Sequence, residues 1–185
     1  MLSKNDLPLK IGFVPSSINV LDYRKLQKTN KTVLEVEESP IAIVKAVKNN
    51  AEIAHIEKCF EKTDIVVSKA IKWLNKNLHE GKTVSEKDFS DKIKNLFLKN
   101  GALGLSFETI AASGVNTAII HYSNPDAKKN ISPGELVLLD CGAYFEGGYA
   151  TDITRTFIAG GNITAPSAWQ KYVYTTVLKA LLHGL

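Results

Sequence analysis

Cysteine is scarce in this chain of 185 residues, which holds only Cys59 and Cys141. Two thiols cannot build the disulfide framework of a small secreted domain, and they suit a reducing cytoplasm. Long hydrophobic runs are also missing. No apolar stretch approaches the ~20 residues that cross a bilayer, and the opening Met1-Leu-Ser-Lys-Asn-Asp6 has no signal-peptide core. Charge is close to balanced. The net value is +4, the lysines are spread out, and no dense basic block with interleaved aromatics occurs. Neither nucleic acid nor membrane is therefore an expected partner. The hydrophobic share of 44% is enough for a core, and the length suits one domain with a small appendage. No internal repeat is visible.

The apolar pattern predicts two long helices followed by strands. Ile53, Ile56, Phe60, Thr63, Val67, Ala70, Leu74 and Leu78 recur every three or four residues between Asn50 and His79. Asn49 or Asn50 can cap that helix, and Gly81 ends it. Ser85 with Asp88 three residues on is a capping-box signal for a second helix. Its apolar face is Phe89, Ile93, Leu96 and Phe97, and Asn100-Gly101 closes it. Strands are predicted at Leu105–Ala112, Ala118–Tyr122, Leu136–Ala143 and Ile153–Ile158, with a last helix from Ala168 to Leu182 capped by Ser167. Helices first and antiparallel strands after them argue an α+β fold. Upstream, Ile11-Gly-Phe-Val14 and Thr32-Val-Leu-Glu-Val36 read as short strands around a Ser16-capped helical turn, and Ser39-Pro40 reads as a boundary. Residues 1–39 are expected to be the remnant of a preceding α/β domain, and residues 40–185 the main domain.

The most informative stretch is Leu138-Leu-Asp140-Cys-Gly-Ala-Tyr-Phe-Glu-Gly-Gly-Tyr-Ala-Thr-Asp152-Ile-Thr-Arg155-Thr-Phe157. It reads as a hairpin with Glu146-Gly-Gly-Tyr149 at the tip. Folding it brings Asp140 and Asp152 together at the ends of apolar runs. Two such carboxylates repel unless a cation sits between them. A divalent metal is one solution. A turn-starting Asp140 and a surface-capping Asp152 are the alternative that spacing alone leaves open. Strand alternation points Cys141 away from Asp140, into a core.

These motifs resemble the metal hairpin of the pita-bread metallopeptidases, the family of aminopeptidase P, prolidase, methionine aminopeptidase and creatinase. Ser39-Pro-Ile-Ala-Ile-Val-Lys-Ala-Val-Lys resembles the entry into their catalytic domain. Leu105-Ser-Phe-Glu-Thr-Ile-Ala-Ala-Ser-Gly…Ile-Ile-His121-Tyr resembles the segment before the hairpin. With Tyr174-Thr-Thr-Val-Leu-Lys179, these features are most similar to the cytosolic Xaa-Pro aminopeptidases. The resemblance implies a first half of a pita-bread domain, with two long helices on an antiparallel sheet. It implies a dinuclear Mn²⁺ centre to which Asp140 and Asp152 contribute, and it places His121 beside the metals against the peptide substrate. The two aspartates are one residue further apart than in the family, and the Gly-rich tip is the expected place for the extra residue. Arg155 is expected to pair with a carboxylate, and His55 and His79 are assigned no role.

In the family a His and two Glu from the second half of the domain complete the metal centre. Nothing here matches them. His183 is the one histidine after the hairpin, and its apolar helical setting does not fit that motif. Three readings follow. The chain is a truncated Xaa-Pro aminopeptidase, inactive alone. Or it is one subunit of a split enzyme, completed by a C-terminal half. Or it is a non-catalytic interaction module, with a homodimer as the simplest assembly because the family's second half is a pseudo-copy of the first.

Overall fold

The computed structural model describes residues 10–29 and 31–184, so the opening Met1–Asp6 lies outside the described residues. The chain divides into two compact units, Met1–Ile53 and Ala54–Leu185.

In the first unit β1 (Lys10–Phe13) and β2 (Thr32–Glu35) pair in parallel, with Lys10 opposite Thr32 and Phe13 opposite Glu35. Helix α1 (Val20–Gln27) connects them, and the Phe13 and Tyr23 rings lie 5.4 Å apart. The cap is Asn19, whose Oδ1 accepts from the Asp22 amide at 2.9 Å, and not the expected Ser16. Pro15–Ser17 is spent on a 3₁₀ turn, which delays the helix. Ser39-Pro40, read from the sequence as a boundary, leads into a helix, and the compact units divide later, after Ile53. Pro40 opens a short helix, α2 (Pro40–Ala46), where its fixed φ suits the first turn.

The second unit is built on α3 (Asn50–His79) and α4 (Glu86–Lys99), both within a residue or two of the expected spans. Asn49 Oδ1 accepts from the Glu52 amide at 3.0 Å, and Glu52 returns a bond to the Asn49 amide at 2.8 Å. Ser85 and Asp88 form the predicted reciprocal box. Phe89, Ile93 and Phe97 are fully buried and Leu96 packs against them. On α3 the buried stripe starts later than the periodicity suggests. It runs from Cys59 through Val66, Val67, Ala70 and Leu74 to Leu78, whereas Ile53 is exposed.

These helices cover one face of an antiparallel sheet with strand order β4 (Ile110–Ser113), β5 (Leu136–Cys141), β7 (Ile153–Ile158). A two-stranded ladder, β3 (Gly104–Leu105) with β6 (Ala143–Tyr144), lies alongside. In β5 the pleat alternates: Val137, Leu139 and Cys141 are buried in the core, while Leu136, Leu138 and Asp140 face the other side. The expected strand Leu105–Ala112 is therefore broken in two, each half pairing with a different partner. The expected strand Leu136–Ala143 breaks at Gly142. A Cβ there would stand 1.9 Å from the Thr151 carbonyl oxygen and 2.5 Å from Ser106 Oγ, so the ladder yields to a close crossing of chains.

The expected strand Ala118–Tyr122 does not form. Gly114–Ala118 is a 3₁₀ turn and His121 takes the left-handed conformation, φ 55°. Ile119 and Ile120 are exposed and pair with no strand among the described residues, and side-chain bonds from Asn116 and Thr117 hold the turn instead. The last helix, α5 (Ala168–Gly184), is capped by Ser167, whose Oγ accepts from the Gln170 amide at 3.2 Å. None of its described side chains is buried.

Truncating the core is expected to be costly. Phe89 is fully buried and meets Phe157 edge-on at 6.4 Å. Phe89→Ala should lower unfolding free energy by about 3–5 kcal/mol in urea titration. Gly142→Ala should cost about 3 kcal/mol, because backbone and not a flexible side chain stands in the way.

Candidate metal and substrate site

The open face of the sheet carries the chemistry. Asp140 sits on the central strand, opposite Ile110 on one side and Thr154 on the other. Thr154 Oγ1 donates to Asp140 Oδ1 at 3.0 Å. Asp152 stands just before β7, and its place is set by its neighbour. Thr151 is fully buried, and its Oγ1 shares a hydrogen bond with Thr63 Oγ1 of α3 at 2.8 Å. The Thr151 amide donates to the Ala143 carbonyl at 3.0 Å, and Ser106 Oγ donates to the Thr151 carbonyl at 3.0 Å. With Thr151 pinned from three sides, Asp152 has one way to project.

It projects into a cavity of about 320 Å³ that Asp140 also lines. The other walls are Phe107, Glu108, Ile110, His121 and Ser123, so the three candidate residues drawn from the sequence share one space. The two-residue pair Gly147 and Gly148 at the hairpin tip has φ of 84° and 78°, and β5 and β7 stay in register below it. The longer connection thus leaves both aspartates on one cavity.

Burial pushes the Asp140 carboxyl above the usual carboxylate range. The Thr154 hydroxyl works against that shift, the neighbouring Asp152 reinforces it, and His121 opposes it weakly. Such a pair fits a hard cation, which would remove the repulsion between the two carboxylates. The set is short of ligands, however. Among the described residues no group of three or more His, Cys, Asp or Glu is disposed to hold a metal. Cys141 is not a ligand candidate. It is fully buried on the core side, as alternation requires, and burial first and the two aspartates second push its thiol up to about 12.

Several roles differ from those expected. Arg155 pairs with no carboxylate among the described residues and donates from Nη1 to the Thr154 carbonyl at 2.9 Å. His55 and His79 do have work. The Nε2 of His55 donates to the Glu146 carbonyl at 2.7 Å while its ring packs 4.8 Å from that of Tyr149. The Nε2 of His79 donates to the Gly160 carbonyl at 2.8 Å. Thr63, Thr151 and Thr154 were not singled out in the sequence. Only Thr154 carried a local signal, two residues beyond Asp152 on the returning strand.

Residues 54–185 match the model of metallopeptidase family M24. The Xaa-Pro aminopeptidase ApepP of Drosophila melanogaster is 36% identical over 175 residues, covering 94% of this chain and 27% of that protein. The Xaa-Pro dipeptidase from Bacillus anthracis superposes with a TM-score of 0.78 at 28% identity, over 95% of this chain and 46% of that one. The X-prolyl aminopeptidase from Caenorhabditis elegans, described as a cytosolic enzyme with a di-nuclear active site, superposes with a TM-score of 0.63 at 30% identity, over 76% and 22%. This chain thus spans about a quarter of its curated relatives and under half of the dipeptidase. The architecture is the α+β fold of pita-bread enzymes, in part. No helix among the described residues is long and apolar enough to cross a membrane.

The raised Asp140 pKa gives a signed prediction. The folded, metal-free chain holds this proton more tightly than the unfolded chain does. Asp140 therefore withdraws stability as pH rises from the unfolded carboxylate value, about 3.9, through the raised folded one. Asp140→Asn should unfold at higher urea than wild type at pH 7 without metal. The gap should close as pH falls below the ordinary carboxylate range.

Proposed function

The chain belongs to metallopeptidase family M24, and from that premise we propose that it carries the two-aspartate half of a dinuclear Mn²⁺ centre. The parent reaction is hydrolysis of the bond between an N-terminal residue and a following proline, in the cytoplasm. The observation that carries this reading is the convergence of Asp140, Asp152 and His121 on one cavity. The Xaa-Pro aminopeptidase activity of the Drosophila relative supports the substrate, and the cytosolic, di-nuclear nematode enzyme supports two metals and the compartment.

Asp140 and Asp152 would hold the metal, with Thr154 orienting the Asp140 carboxylate. A bound metal of this kind polarises a carbonyl and makes water nucleophilic near neutral pH. His121 on the wall hydrogen-bonds the substrate beside the scissile bond or carries a proton there. Residues 40–185 act as the catalytic half-domain and residues 1–39 as the end of the domain before it. Two carboxylates give at most about four oxygens, where such metals take roughly six ligands. The chain alone is therefore not an efficient peptidase, and completion by a further His and two Glu is required. One observation favours a partner-dependent reading. Helix α5 exposes Trp169, Tyr172, Val177, Leu181 and Leu182. A complementary C-terminal half, or a second copy of this chain, would cover such a face, and light scattering showing a monomer at micromolar concentration would reject the homodimer.

The decisive assay is release of the N-terminal residue from an Xaa-Pro peptide by purified chain, with and without Mn²⁺, beside Asp140→Ala. No turnover above the variant is expected. Mn²⁺-dependent turnover lost in the variant would mean that this chain assembles a complete site. In parallel, Mn²⁺ should raise the melting temperature of wild type and not of Asp140→Ala. Equal shifts in both would sink the metal assignment. Thr154→Val should weaken Mn²⁺ binding ~10-fold, as loss of a group that orients a ligand does.

A further inference from the structure

Glu86 is a fully buried carboxylate that the proposed reaction does not use. The Ser85 cap fixes it at the first position of α4, with its side chain turned into the protein. Every contact it makes is with a donor. Oε1 accepts from the Ser113 amide at 2.6 Å and from Ser113 Oγ at 3.0 Å. Asn116 Nδ2 donates to both oxygens at 3.2 Å. Oε2 also accepts from Tyr122 Oη at 2.8 Å and the Asp126 amide at 3.3 Å. These four residues bracket a single loop. Ser113 ends β4, Asn116 lies in the 3₁₀ turn, and Tyr122 and Asp126 lie on its far side. His121 sits inside the bracket, in the left-handed conformation that side chains other than glycine rarely adopt.

We propose that Glu86 is the positioning residue of His121, its carboxylate gathering both arms of the loop so that the imidazole is held on the cavity wall. Within the loop Thr117 Oγ1 donates to the Gly114 carbonyl and Asn116 Nδ2 donates to Tyr122 Oη, and the Glu86 carboxylate ties both arms to α4. Ile119 and Ile120 are exposed and give the loop no buried anchor of their own. A strained backbone persists only where its surroundings over-determine it, and six bonds to one carboxylate do so. Burial first, and then the hydrogen bond and charge of Glu86, push the Tyr122 hydroxyl up to about 12, so it remains a donor at any working pH. The inference rests on the proposed role of His121, but its test does not need turnover.

The test is ¹H–¹³C NMR of the chain labelled at the histidine rings, with the His121 signal identified by its loss in His121→Ala. Glu86→Gln replaces an acceptor with an amide that faces other donors. In that variant the His121 signal should shift and broaden, while those of His55 and His79, held by hairpin carbonyls, stay in place. Asn116→Ala removes the link to both oxygens without touching Glu86 and should move the same signal, less far. A folded Glu86→Gln protein with an unmoved His121 signal would overturn the proposal. If Glu86→Gln does not fold, an unmoved signal in Asn116→Ala would overturn it equally, as would a joint shift of all the histidine signals. Paramagnetic Mn²⁺ added to wild type tests the metal reading separately. An unbroadened His121 signal there would reject the metal and leave the positioning role standing.

Discussion

The carbonyl of Thr151 passes so close over Gly142 that no side chain fits between them. The rest of the site depends on that crossing. It breaks the long strand after Cys141, hands Ala143 to a different partner, and brings the returning chain to Asp152 beside Asp140. Backbone contact of this kind needs a fixed partner to be reproducible. Thr63 supplies it from α3 by bonding the Thr151 hydroxyl inside the core. A buried hydroxyl left unbonded would cost about 1–3 kcal/mol, so the pair resists separation. The geometry of the aspartates is thus set by the packing of a helix against the sheet.

Glu86, fully buried, and Asp140, half-buried on the cavity, are provided with donors in opposite ways. Glu86 is saturated by six donor contacts and needs no cation. Asp140 receives one, from Thr154, and faces a second carboxylate. A group so under-supplied with donors favours its proton, or a metal in the proton's place. The two carboxylates also divide the labour spatially. Glu86 bonds both arms of a loop from the start of α4, and Asp140 lines the cavity that His121 of that loop also lines.

The parts legible in the sequence are those with a local signature. The start of α3 followed from a cap at Asn49 or Asn50, that of α4 from Ser85 with Asp88 three positions on, and the α4 core face from period. The aspartate pair followed from a hairpin whose turn residues allow positive φ. What stayed hidden depends on partners far along the chain. Glu86 looks like any acidic residue in a first helical turn, and its donors lie 27 to 40 residues away. Ile119-Ile120-His121 has strand-like composition, yet it pairs with no strand among the described residues, and side-chain bonds decided the backbone. His55 and His79 looked like surface residues because their carbonyl partners are 91 and 81 residues away.

Those two histidines bear on how metal binding couples to folding. Helix α3 holds the tip of the hairpin through His55 and Glu146, its middle through Thr63 and Thr151, and the end of β7 through His79 and Gly160. Three attachments from one rigid helix hold the hairpin along its length before any cation arrives. In small metal domains the unfolded apo chain spends metal-binding energy on folding. Here the core cluster and these bonds fix the frame, so a metal bound as proposed would have only the repulsion between Asp140 and Asp152 to offset. A frame built this way keeps the two carboxylates on one cavity without help from a cation, which is what the proposed completion by further ligands would demand.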